Sequence, residues 1–187
     1  MGEKSHESDR LVIAGQPVPD ELAPRDSTAG GSIPGLLRAF LPLNADGRAE
    51  VRALVRSLPQ RERTDPVGIP HAYDAEGPGP LVMRLLRNRN MNLGAVAKSV
   101  YMVTRGRRYW AVSTYGMIGH GGKELTPDLL GDLCALLDVP AADLARLTGI
   151  TPDPAPVNVG DLVWDVRRLT RDQIEHVIKA AEAIRPR

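Results

Sequence analysis

The sequence predicts an all-α fold: a bundle of about five short helices, with additional helical segments on its N- and C-terminal sides. Three observations lead there. Apolar residues recur at i, i+3, i+4 and i+7 in one segment after another, the spacing that gathers them on one face of a helix. Aromatic residues are scarce, two Trp, four Tyr and one Phe in 187 residues, so the core falls to Leu, Ala and Val and is helical rather than a sheet sandwich. Clusters of Pro and Gly separate the periodic segments.

Taken in order, residues 1–32 mix charges, Pro and Gly with few apolar side chains and read as a disordered arm. Residues 33–65 read as a small helical hairpin, with Leu36, Leu37, Phe40 and Leu41 on one stripe and Val51, Leu54, Val55 and Leu58 on the next. Such a hairpin is too short to stand alone, so it docks on the downstream domain or on another copy of the chain. Residues 66–80 form a Pro/Gly linker.

Residues 81–149 hold the main bundle. Its first helix, 81–88, turns Leu81 and Leu85 inward and Arg84 and Arg87 outward. The second, 93–100, is capped by Asn92 and presents Leu93, Val96, Ala97 and Val100. After a connection at 101–106, a third helix at 107–118 aligns Trp110, Thr114, Met117 and Ile118, and Gly119, Gly121 and Gly122 end it. Thr126 and Pro127 open a helix whose stripe is Leu129, Leu130, Leu133, Leu136 and Leu137. Pro140 starts the last, and Gly149 closes it. Residues 150–187 are a spacer followed by C-terminal amphipathic helices, where Thr170 and Gln173 spell a capping box and Ile174, Val177, Ile178, Ala181 and Ile184 share one face. That face needs a surface, supplied by its own domain, a second copy or a protein partner.

Charge is distributed unevenly. Residues 81–123 carry eight Lys or Arg and no Asp or Glu, whereas residues 124–165 carry eight acids against Arg146 alone, so the formal net charge of +1 hides an internal dipole. A basic block of this kind attracts polyanions, or else stays solvated or pairs with the acidic segment. The single Cys134 excludes an internal disulfide and reads as a small core hydrophobe. The histidines, His6, His71, His120 and His176, are scattered without metal-ligand spacing, and no Ser lies in a triad-like pattern. The reading is therefore of a protein that is not an enzyme, with no cofactor and no metal. No run is apolar enough to span a bilayer, which points to a cytoplasmic, nucleoid-associated protein.

Two short helices, a turn and a helix flanked by arginines are the elements of a helix-turn-helix, in which the second helix lies in the major groove. The spellings Leu93-Gly94-Ala95-Val96-Ala97-Lys98, Val112-Ser113-Thr114-Tyr115-Gly116-Met117-Ile118, Leu125-Thr126-Pro127-Asp128-Leu129-Leu130 and Leu136-Leu137-Asp138-Val139-Pro140-Ala141-Ala142-Asp143-Leu144 resemble the Cro/repressor-type (XRE) helix-turn-helix family over residues 81–149. Trp164-Asp165-Val166-Arg167-Arg168-Leu169-Thr170 with Gln173 resembles a tail of actinobacterial-type members. The resemblance implies a sequence-specific regulator that binds double-stranded DNA, as a homodimer if the accessory helices supply a two-fold contact. Protein-interaction adaptors on the same fold, and DNA-organising proteins of low specificity, are the alternatives.

Between Lys98 and Glu124 the chain is longer than the family pattern, which leaves two registers. In the preferred one the reading helix is 107–118; in the other a shorter helix begins near Ser113 and leaves Arg105, Arg107 and Arg108 in a protruding loop. Phosphate contacts position such a protein and base contacts specify its site. Arg105, Arg107 and Arg108 are assigned to phosphate, with one of them a candidate for bidentate guanine reading. Tyr109, Val112, Ser113 and Gly116 are assigned to base edges or thymine methyls, Asn92 and Lys98 to the backbone, and His120 and Lys123 to a phosphate beyond the helix.

Overall fold

The computed structural model describes residues 6–62 and 73–184. Ten α-helices and two 3₁₀ turns make up the described residues, without a strand. The helices are α1 (Glu7–Ile13), α2 (Ile33–Phe40), α3 (Ala45–Ser57), α4 (Pro78–Asn88), α5 (Leu93–Val103), α6 (Val112–Gly119), α7 (Pro127–Cys134), α8 (Ala141–Thr148), α9 (Gly160–Val166) and α10 (Arg171–Ile184).

Local chemistry explains most of the boundaries. Asn44 and Asn92 cap α3 and α5, their Oδ1 atoms accepting from the N–H groups of Gly47 at 2.9 Å and Ala95 at 2.8 Å. The amide of Thr170 donates to Gln173 Oε1 at 3.1 Å, so one arm of the capping box forms at the start of α10. Helices α4, α5 and α6 end alike. After each, the second residue past the C-cap donates back to a carbonyl in the last turn: Met91 to Leu86, Gly106 to Tyr101 and Gly122 to Met117. This is the Schellman arrangement, and its left-handed residue is Asn90, Arg105 and Gly121 in turn, at φ of 64°, 52° and 74°.

A single hydrophobic core runs from Val12 to Ala181. Helix α10 packs across α2 and α3, so Ile174, Val177 and Ala181 are buried within the chain. The hairpin of α2 and α3 thus meets the C-terminal helix and, through α2, also α5. Ion pairs from Arg52 to Asp161 (2.6 Å) and from Arg56 to Asp165 (3.0 Å) tie α3 to α9. The Leu stripe of α7 and its extension, Leu129, Leu130, Leu133, Leu136 and Leu137, is fully inside. Cys134 is buried beside it, and burial pushes its thiol up to about 11.

Three expectations need correction. The arm assigned to disorder is ordered from His6 onward, because α1 packs on α4 through a buried polar network and sets Val12 into the core. Asp9 ion-pairs Arg89 at 2.8 Å while Asn88 Nδ2 donates to Asp9 Oδ1 and to Ser8 Oγ. Helix α4 begins at Pro78, inside the stretch assigned to a linker, where proline suits the first turn because its missing N–H would have no helical partner there. Gly79 in that turn runs so close to α6 that a Cβ would sit 2.7 Å from the Ile118 carbonyl oxygen. Residues 66–72 of the assigned linker lie outside the described residues. Third, the basic block reads as meeting polyanions, solvent or the acidic segment 124–165, yet one of its cations, Arg89, is completely buried and paired with Asp9.

His6 closes α1 over the carboxy-terminal segment. Its ring stacks on Trp164 at 3.5 Å and its Nε2 faces Asp138 at 3.3 Å. Burial, helped by Arg89 and opposed by Asp9 and Asp138, holds the imidazole below its ordinary value of 6.5. In the unfolded chain the ring protonates first as pH falls, so the α1 contact is at full strength above pH 6.5 and weakens below it. The protection factors of α1 amides, which correct for the intrinsic slowing of exchange as pH falls, are expected to decrease between pH 7.5 and pH 5.5, a decrease that His6→Phe, which keeps the stack, should remove.

Candidate nucleic-acid interface

The stretch assigned to a reading helix at 107–118 is helical only from Val112. Two consecutive residues with positive φ, Arg105 and Gly106 at 84°, end α5 and rule out an immediate restart. The backbone then runs irregularly to Ala111, pinned from behind. Thr104 Oγ1 accepts from the Arg108 amide at 3.1 Å and donates to the Val100 carbonyl at 2.7 Å. The Arg108 guanidinium is buried and reaches back to two carboxylates of α7, Asp132 and Asp128, the latter at 2.7 Å. Arg107 also pairs with Asp132, whose side chain is buried. Burial works against the Arg108 charge, and the two carboxylates outweigh it, so its pKa rises. Asp128 is held down at about 2 by the Thr126 hydroxyl and by Arg108.

This arrangement reassigns several residues. Arg108, expected at phosphate or guanine, is buried against α7 instead, while Arg107 pairs with Asp132 and stays 56 % exposed. Gly116, expected to allow approach to a base, is buried against α5, where a Cβ would meet Leu93 Cδ1 at 3.4 Å. The inward face of α6 consists of Tyr115 and Ile118, both fully buried, and not of Trp110, Thr114 and Met117. Trp110 lies outside the helix, between Arg108 at 4.4 Å and Lys123 at 5.3 Å from its ring centre. Lys123 is therefore partly engaged, and His120 is exposed with its ring edge-on to Tyr73 at 5.4 Å.

Among the other assigned residues, Lys98, Tyr109 and Val112 line one groove. Lys98, Arg105, Tyr109, Val112 and Ser113 are exposed, and neither Lys98 nor Arg105 is in an ion pair among the described residues. Asn92 is exposed at the start of α5 and helps line a hollow of 380 Å³ with Arg87, Leu93, Gly94 and Tyr73. Arg87, read as outward-facing, lines that hollow beside the α5 N-terminus.

The sequence reading missed the apolar character of this face. Among the described residues the exposed large hydrophobic side chains are Tyr101 (44 %), Tyr109 (85 %), Val112 (45 %) and Met117 (50 %), and all four lie between the end of α5 and α6. Tyr101 and Tyr109 meet edge to face at 5.6 Å. Behind them a groove of 410 Å³ is lined by Lys98, Tyr101, Met102, Tyr109, Trp110 and Val112 among others. Tyr109 and Val112 were assigned outward from sequence, whereas the exposure of Met117 was legible only once the helix phase was known.

No family model, curated protein or solved structure matches this chain. What the face can do therefore rests on its own chemistry. It offers cations without carboxylates, a small hydroxyl and a band of apolar groups. Among the described residues no cluster of three or more His, Cys, Asp or Glu is placed to hold a metal ion, and no helix is long and apolar enough to cross a membrane.

Proposed function

We propose that this protein is a sequence-specific, double-stranded-DNA-binding transcriptional regulator of the Cro/repressor (XRE) type, acting at the nucleoid, with α5 and α6 as its helix-turn-helix. The observation that carries the reading is the face itself. Helix α6 projects Val112, Ser113 and Met117, flanked by Lys98 and Arg105, from a 43-residue stretch without a single carboxylate. Arg87 and Asn92 beside the α5 N-terminus add a phosphate position, since helix N-termini favour anions. The long connection at 104–111 distinguishes the protein from the short-turn pattern of the family it resembles.

A purified chain presented with a randomised duplex library at two salt concentrations should enrich a discrete motif. Counterion release makes the logarithm of affinity fall with that of salt by about 0.9 per phosphate contacted, so Lys98→Ala with Arg105→Ala should flatten that slope by roughly 2. Enrichment of no duplex at either salt sinks the proposal. Binding without any motif leaves instead a DNA-organising protein of low specificity.

One observation favours a different class. Four exposed apolar side chains between Tyr101 and Met117 also suit a protein partner, so an interaction adaptor is the reading to which a failed duplex selection returns.

A further inference from the structure

The hydrogen-bonding resources of α6 are unusually poor for a helix that reads bases. Its exposed side chains are Val112, Ser113 and Met117, and it carries no Arg, Lys, Asn, Gln, Asp or Glu at all. Of the arginines before it, Arg108 is buried against Asp132 and Asp128, Arg107 is held by Asp132 although 56 % exposed, and Arg105 lies back at the end of α5, where it is given to phosphate. Bidentate readout of guanine by Arg or Lys, or of adenine by Asn or Gln, therefore has no donor on this helix. What the face does present is apolar surface, with Val112 and Met117 about half exposed on α6 itself and Tyr109 almost wholly exposed just before it. The major-groove floor of DNA has one apolar feature to match, the 5-methyl group of thymine.

Resting on the DNA-binding reading above, we propose that α6 recognises its site through thymine methyl groups, with Val112 and Met117 as the specificity-determining contacts and Ser113 as the hydrogen-bonding supplement. Affinity then comes from Lys98, Arg105 and Arg87 on phosphates, and discrimination comes from methyl burial. The recognised half-site is thymine-containing at the positions under α6, and guanine there is not read by an arginine.

Deoxyuridine tests this cleanly, because it pairs like thymine and lacks only the methyl. With the full-length chain and the enriched duplex, replacing each thymine in turn by uracil should weaken binding by about fourfold at each contacted position, the factor corresponding to about one buried methyl group. Val112→Ala, at a half-exposed position whose loss leaves the core intact, should lower affinity for the thymine duplex and abolish the difference between thymine and uracil at one position. Methylating the C5 of a cytosine placed at that position should restore part of the affinity. Equal binding of the thymine and uracil duplexes overturns this inference while leaving the DNA-binding reading in place, as does an equal loss for Val112→Ala on both. An enriched motif made of G and C alone overturns it as well. If no duplex is enriched, both readings fall, and the apolar face belongs to a protein partner.

Discussion

Replacing Asp9 by alanine is expected to lower the folding free energy by about 3–5 kcal/mol, the range found when one member of a buried ion pair is removed. The reason is what stays behind. Arg89 has no exposed surface and Asp9 has 1 %, so the guanidinium cannot recover water in the variant. It would keep only the Leu85 carbonyl at 2.9 Å and the face of Trp164 at 5.1 Å. Asn88 would lose an acceptor as well, although Arg167 still donates to its Oδ1 at 2.9 Å. For a chain of this length the loss should appear as a fall in Tm of roughly 10 °C. The double variant Asp9→Ala with Arg89→Met should regain most of it, since an apolar replacement of the whole pair leaves no uncompensated charge. A thermal melt of Asp9→Ala within a degree of the parent would mean that α1 does not bury Arg89 in solution.

Asp132→Ala is expected to cost about 3 kcal/mol, the lower end of the same range, because Arg108 retains Asp128 on its other nitrogen. Its distinguishing effect is on the candidate interface. Asp132 is the buried carboxylate that holds both Arg107 and Arg108, and these fix the 104–111 connection from which α6 starts. Duplex affinity measured well below the melting temperature should therefore fall for Asp132→Ala and stay near the parent value for Asp9→Ala, whose network lies at the α1–α4 contact. Similar affinities for the two variants would show that the connection does not position α6.

Much of the fold was legible because helix formation is local. The stripes that predicted α2, α3, α5, α7 and α10 repeat within a few turns, and Asn92 announces its cap three residues ahead. The face of α10 fits the same logic, and only the choice of its partner surface, α2 and α3, lay beyond it. Helix α6 was misphased for a specific reason. Periodicity alone joins 107–118 into one helix, and nothing near Arg105 in sequence reveals that its φ is 52° or that its neighbours are drawn toward α7.

By itself, the sequence determined the all-α class, the order of most helices, the caps and the carboxylate-free basic block, because each depends on residues within a few positions of one another. Only the tertiary structure decided which of those cations face solvent. Arg89 is neutralised from 80 positions away, and Arg107 and Arg108 from about 20 to 25. Pairing of charge depends on separation in space and on burial, and neither is written in the spacing of residues along the chain.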